Sequence, residues 1–131
     1  LMAHVLGKGT LIAAAGADVP RSVALRAKGA EVVVLPNHDG KVELPALIQE
    51  LARRGCNEIH VEAGYKLNGS LLAEGLVDEL LIYMAPCILG DTAKGMFHLP
   101  PLENLAARHK LSITDIRKFG DDVRVLARIK Q

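Results

Sequence analysis

Aromatic side chains are nearly missing from this sequence: two Tyr, two Phe and no Trp in 131 residues. A core must therefore be aliphatic, built from Ala, Leu, Ile and Val, as in buried parallel sheets and their covering helices. A nucleic-acid binder usually shows a basic stripe with stacking aromatics. Here the formal net charge is only +1, with acids and bases scattered. That argues against a broad polyanion surface, but a small anion can still be held by a few donors at one helix end. Cysteine is also scarce. Cys56 and Cys87 stand far apart with no CxxC spacing, so neither a disulfide framework nor a structural zinc site has support. Two free thiols suit a reducing cytosol, and a cytoplasmic location is expected. The longest apolar run, Leu80 to Ala85, is far short of the ~20 residues of a membrane helix. No basic start followed by an apolar stretch opens the chain, so no secretory signal is expected. The first residue is Leu rather than Met, which suggests a sequence that begins inside a longer one.

What is present is an alternation of segment types. Half of the residues are hydrophobic, enough to fill the core of one domain or part of one. Thr10 to Ala15 reads as a buried strand. Asp18 can cap a helix with Pro20 in its first turn, Val23, Ala24 and Ala27 give that helix an apolar side, and Gly29 fits its stop. Glu31 to Leu35 (EVVVL) is strand-like and ends at Pro36. Asn37 to Lys41 is a turn cluster. Leu44, Leu47, Ile48 and Leu51 follow helical spacing between Pro45 and Gly55. Glu58 to Glu62 (EIHVE) alternates as a third strand would, with His60 and Glu62 on one face. Leu67, Leu71 and Leu72 predict a helix that stops near Gly75. Glu79 to Ala85 predicts a strand buried on both faces, with Tyr83 in the core.

The last third changes character. Residues 86 to 108 carry Pro86, Gly90, Gly95, Pro100 and Pro101, and read as a long irregular connection. His109 to Phe119 and Asp122 to Lys130 then predict two strands joined by a tight turn at Gly120–Asp121. Val123, Val125, Ala127 and Ile129 alternate with polar neighbours, as in an antiparallel strand with one wet face. The first strand loses its alternation around Asp115–Ile116, which points to a bulge. The whole reads as an α/β fold, βαβαβαβ with parallel crossovers, followed by a β-hairpin.

Chemistry concentrates in Val61 to Asp78 (VEAGYKLNGSLLAEGLVD). Glu62 is expected at the carboxyl end of a strand, where open α/β sheets bind ligands, and Gly64 at the start of a helix. A Gly there lets backbone approach a phosphate, and the free N–H groups of a helix start attract it. Asn68 and Ser70 add neutral hydrogen-bonding side chains. The spacing of Gly64 and Gly69 is not the GxGxxG fingerprint, and there is no Walker lysine. A strand-to-helix turn that needs Gly only for its shape explains the local pattern equally well.

The longer run from Val61 through Gly95 (VEAGYKLNGSLLAEGLVDELLIYMAPCILGDTAKG) resembles the C-terminal reductase domain of the bifunctional riboflavin-biosynthesis deaminase/reductase family. The resemblance is carried by V-E-x-G, x-x-L-x-G-S-L/F, G-L-V-D-E, Y-x-A-P and L-G with a short Gly-containing loop; less distinctive similarity extends over the rest of the chain. It implies a dihydrofolate-reductase-like fold: a mainly parallel sheet flanked by helices, with the C-terminal antiparallel hairpin. It also implies NADPH-dependent reduction of 5-amino-6-(5-phosphoribosylamino)uracil to the ribitylamino product. On this resemblance Glu62 contacts the substrate, and Gly64, Tyr65, Lys66, Leu67, Asn68, Gly69 and Ser70 lie along the cofactor. No catalytic side chain and no metal are implied, because the cofactor carries the hydride; a homodimer is. The family's reductase domain starts upstream of Leu1, so residues 1–131 are expected to be the C-terminal portion of one domain, with an exposed pairing edge and little activity alone. No H-x-E with a partnering P-C-x-x-C is present, so no deaminase is expected in these residues.

The remaining candidates have plainer readings. His60 can pair with Glu62 to bind a polar ligand or shuttle a proton, or be a hydrogen-bonded structural residue. His4, His38, His98 and His109 lack ligand spacing and suit the surface. Cys56 and Cys87 read as small buried hydrophobes, and Lys66 as a phosphate contact or a solvated lysine. Asp78 and Glu79 mark a charged strand entry or an interface. Two rivals stay open: another dihydrofolate-reductase-like enzyme acting on a pterin or pyrimidine, and a nucleotide-binding α/β module without turnover.

Overall fold

A computed structural model of the chain describes residues 9–130. His4 lies outside them. The chain divides into two compact units, Leu1–His60 and Val61–Gln131.

The first unit is a short βαβ element followed by a helix. Strand β1 (Leu11–Ala14) and strand β2 (Glu31–Val34) pair in parallel, Leu11 against Glu31 through Ala14 against Val34. Helix α1 (Val19–Ala27) connects them. Its start is built as the sequence predicts: the Asp18 carboxylate accepts the Arg21 amide at 3.0 Å, and Pro20 occupies the first turn. The apolar side expected at Val23, Ala24 and Ala27 is not buried. Val23 is 59% exposed, whereas Leu25 is half-buried. The helix is short and is held to β2 on that other side, where Arg26 Nη2 donates to the Val32 carbonyl at 3.3 Å. After β2, the Asn37 side-chain oxygen accepts the amides of Asp39 (3.0 Å) and Lys41 (2.8 Å), closing the turn. Helix α2 (Leu44–Arg53) follows, with Leu44 buried. Its end is tied to the sheet by charge. Arg54 reaches Glu31 of β2 at 2.5 and 2.7 Å and Glu50 at 2.7 Å, while Arg53 meets Glu50 at 2.8 Å. Hydrogen bonds from Arg53 and Arg54 hold the Glu50 carboxyl at about 2, below its usual range.

Glu58 to Glu62 does not form the expected third strand. Alternation chooses which side chains share a face, but a strand also needs a backbone ladder, and none is formed by this segment among the described residues. Ile59 and Val61 are accordingly 37% and 45% exposed.

In the second unit helix α3 (Tyr65–Ala73) precedes strand β3 (Glu79–Met84). The irregular connection predicted after it holds one 3-10 turn, Leu105–Ala107, capped by Asn104. Strands β4 (Lys110–Phe119) and β5 (Asp122–Lys130) then form the hairpin, and β5 lies between β3 and β4 in an antiparallel sheet. The predicted irregularity is real: the register shifts between Ile113 and Asp115, and Thr114 is the extra residue. Its hydroxyl donates to the Leu126 carbonyl at 3.2 Å. Beyond the bulge, Asp115 joins the polar face and pairs with Arg124 (2.7 Å) and Arg117 (2.9 Å), which hold its carboxyl below the usual range. Glu79 pairs with Arg128 at 3.4 Å on that same face.

The α/β class with a terminal hairpin holds, with a parallel pair in one unit and an antiparallel sheet in the other. Three expectations about burial do not. Strand β3 is open, with Leu81, Tyr83 and Met84 between 44% and 52% exposed, so Tyr83 is not core; its ring packs edge-on against Phe119 instead. Cys56 and Cys87 are both exposed, because one follows a helix stop and the other sits in the irregular connection. Buried apolar residues are few and small or aliphatic: Ala30, Val32 and Leu44 in the first unit, Leu71, Leu72 and Ala127 in the second.

Candidate nucleotide-binding site

Helix α3 begins abruptly. Gly64 precedes its first turn with extended backbone (φ −77°, ψ 162°), and no side chain caps it. The first N–H groups of any helix lack an intrahelical acceptor, so here they have no carboxylate or hydroxyl cap in front of them. Gly64 is exposed, and a Cβ built on it would meet nothing within 4 Å. Its glycine is thus not required by crowding within the chain. At the other end the helix closes on itself: Gly75, with φ +69°, donates to the Leu72 carbonyl at 3.1 Å, and Leu76 donates to Leu71 at 2.9 Å. This is the stop that glycine's left-handed backbone permits. Leu71 and Leu72 anchor the helix by burial.

Gly69 is a different case. Glycine in a helix interior costs about 1 kcal/mol relative to Ala, and this one is buried. A Cβ there would overlap the His98 carbonyl oxygen and stand 2.7 Å from the His98 carbonyl carbon. The missing side chain lets the loop after β3 lie directly on the helix. Four more contacts fasten it. The His98 amide donates to the Tyr65 carbonyl at 2.9 Å. The Asn68 carboxamide donates to Ala63 O at 3.3 Å and to Met96 O at 3.4 Å. The Tyr65 ring meets the His98 ring edge-on, centroids 5.6 Å apart, and Lys94 Nζ stands 5.5 Å from the Tyr65 centroid.

The eight residues expected along substrate and cofactor therefore fall into two groups. Glu62, Gly64, Lys66, Leu67 and Ser70 are exposed. Tyr65, Asn68 and Gly69 are wholly or partly covered and carry the loop contacts just described. Glu62 and His60 occupy irregular backbone before the helix, not the face of a strand. Lys94, Met96 and His98 are the residues that sequence reasoning passed over as connection. The available signal was Gly69 itself, since a glycine inside a helical pattern costs stability and usually has a packing or functional reason. Among the described residues, no group of His, Cys, Asp and Glu is arranged to hold a metal ion.

An exposed helix start opened by a glycine, with Glu62 just before it, reproduces the motif order V-E-x-G-helix, and the comparison with known proteins agrees. Residues 3–125 match the model of the RibD C-terminal domain. The chain belongs to that family. The Escherichia coli riboflavin biosynthesis protein RibD is 44% identical over 91 residues, covering 70% of this chain and 25% of that protein. A 5-amino-6-(5-phosphoribosylamino)uracil reductase from Buchnera aphidicola is 31% identical over 76% of this chain and 48% of its own length. Among solved structures, Acinetobacter baumannii RibD superposes with a TM-score of 0.73 at 27% identity, covering 82% of this chain and 29% of that one. A pyrimidine reductase-like protein from Corynebacterium diphtheriae (TM-score 0.75, 19% identity, 92% of this chain and 50% of that one) supports the fold alone. The chain thus spans about a quarter to a half of the length of these relatives.

Proposed function

We propose that the chain is the C-terminal portion of a single reductase domain of riboflavin biosynthesis. It serves NADPH-dependent reduction of 5-amino-6-(5-phosphoribosylamino)uracil to the ribitylamino product. The observation that carries this reading is the uncapped start of α3 at Gly64, two residues after Glu62. Anions are stabilised at such a terminus by its amides and by the helix dipole. The exposed residues fit a dinucleotide there: Gly64, Lys66 and Leu67, with the part-covered Tyr65 between them, would face its pyrophosphate, and the Ser70 hydroxyl is a further hydrogen-bonding group. When bound, NADPH supplies the hydride. The chain's own part is to bind and orient. Glu62 accepts hydrogen bonds from pyrimidine amino or ribose hydroxyl groups and so fixes the sugar carbon that is reduced, which is catalysis by positioning. A homodimer and a cytoplasmic location belong to the same reading. No helix among the described residues is long and apolar enough to cross a membrane.

The test is to titrate NADPH against this chain and against the complete reductase polypeptide, then add the phosphoribosylamino-pyrimidine. The expected result is saturable binding by the complete polypeptide and loss of the NADPH absorbance band on adding substrate. Binding without turnover would instead favour a nucleotide-binding module, and turnover only with a pterin would favour the related enzyme class.

A further inference from the structure

Asn68 and Gly69 were expected along the dinucleotide, yet both are turned toward the loop that follows β3. Gly69 gives up a side chain to let the His98 backbone in. Asn68 spends its amide on two carbonyls, Ala63 just ahead of the helix and Met96 in the loop. The helix does not need this clamp for its own termination, which its backbone completes at Gly75. What the clamp delivers is Lys94. Its ammonium stands over Tyr65, the first residue of α3, at 5.5 Å from the ring centroid. A lysine otherwise swings on a flexible stem; over an aromatic face it is restrained while keeping its full charge.

Building on the function proposed above, we propose that Asn68 and Gly69 are positioning residues. They dock the residue 90–98 loop on α3 so that Lys94 stands beside the helix's first turn and meets a phosphate of the dinucleotide. The cofactor would then be held from two elements, by the amides of α3 and by a cation from the loop. The loop's docking would set binding strength without touching the reacting atoms.

A double-substitution cycle tests this, using NADPH dissociation constants in the complete reductase polypeptide and hydrogen exchange at the His98 amide as the readout of docking. Lys94→Gln should raise the Kd about tenfold, the scale of one charge-assisted hydrogen bond, and leave His98 exchange unchanged. Gly69→Ala should raise the Kd comparably and speed His98 exchange. Because the clamp acts through Lys94, the two effects should not add, and the double variant should be no more than about twofold weaker than either single one. Asn68→Ala introduces no bulk and should behave like Gly69→Ala, which keeps the test available if the latter fails to fold. Additive effects, or an unchanged Kd for Lys94→Gln, would overturn the proposal. A parent polypeptide that binds no NADPH would overturn the functional reading beneath it. A parent that binds, with variants that bind equally, would overturn this inference alone.

Discussion

Glu62 is the residue whose proposed role is easiest to isolate. It is exposed and precedes α3, so replacing its carboxylate by an amide removes charge without disturbing a core. Glu62→Gln in the complete polypeptide should lower kcat/KM by about ten- to a hundredfold, the range for losing a hydrogen bond to a charged group. A far-ultraviolet circular dichroism spectrum like the parent's would show that the fold is intact. An unaltered kcat/KM would remove Glu62 from the substrate site. Its candidacy was legible because a glutamate two residues before a glycine and a helix is a local pattern. The double duty of the following helix was not, since Asn68 and Gly69 answer to Met96 and His98, about thirty positions away.

The elements differ in how far local chemistry decided them. The cap of α1 at Asp18, the glycine stops and the β4–β5 hairpin with its bulge at Thr114 all follow from residues within a few positions of one another. The Glu58–Glu62 segment fails for the opposite reason: its alternation is local, but strand formation is a pairwise event. Pairwise charge also ties α2 to β2 through Glu50, Arg54 and Glu31. The folded Glu50 carboxyl titrates at about 2, against 4.5 as its ordinary value. Its contribution is therefore fully present above about pH 4.5 and is lost as pH falls toward 2. Glu50→Gln should flatten the acid limb of stability across that interval when unfolding is followed by circular dichroism from pH 6 to pH 2. A variant with the parent's acid limb would show that this network does not stabilise the fold.

At the scale of the whole molecule, the uncovered apolar surface stands out. One face of the antiparallel sheet carries the Glu79–Arg128 and Asp115–Arg124 pairs, while the other carries Leu111, Ile113 and Ile116 on the edge strand β4, each 41–59% exposed. Exposed apolar patches on an edge strand favour association, and a net charge of +1 at pH 7 with a pI near 8 opposes it only weakly. The chain prepared by itself should therefore self-associate most near pH 8. It should do so less at pH 5, well below that isoelectric point, where the net positive charge is larger. Light scattering at both values checks this, and a monomer at pH 8 that persists at high concentration would contradict it. The sequence by itself determined the three helices, every strand except the one expected at Glu58–Glu62, the Asp18 cap, the hairpin and the V-E-x-G entry to α3, because each depends on side chains and backbone a few residues apart. Only the tertiary structure decided that Tyr83 and both cysteines stay exposed, that Glu58–Glu62 forms no strand among the described residues, and that Gly69 makes room for His98. Burial and close approach are set by which distant segment arrives, and no local pattern names that segment.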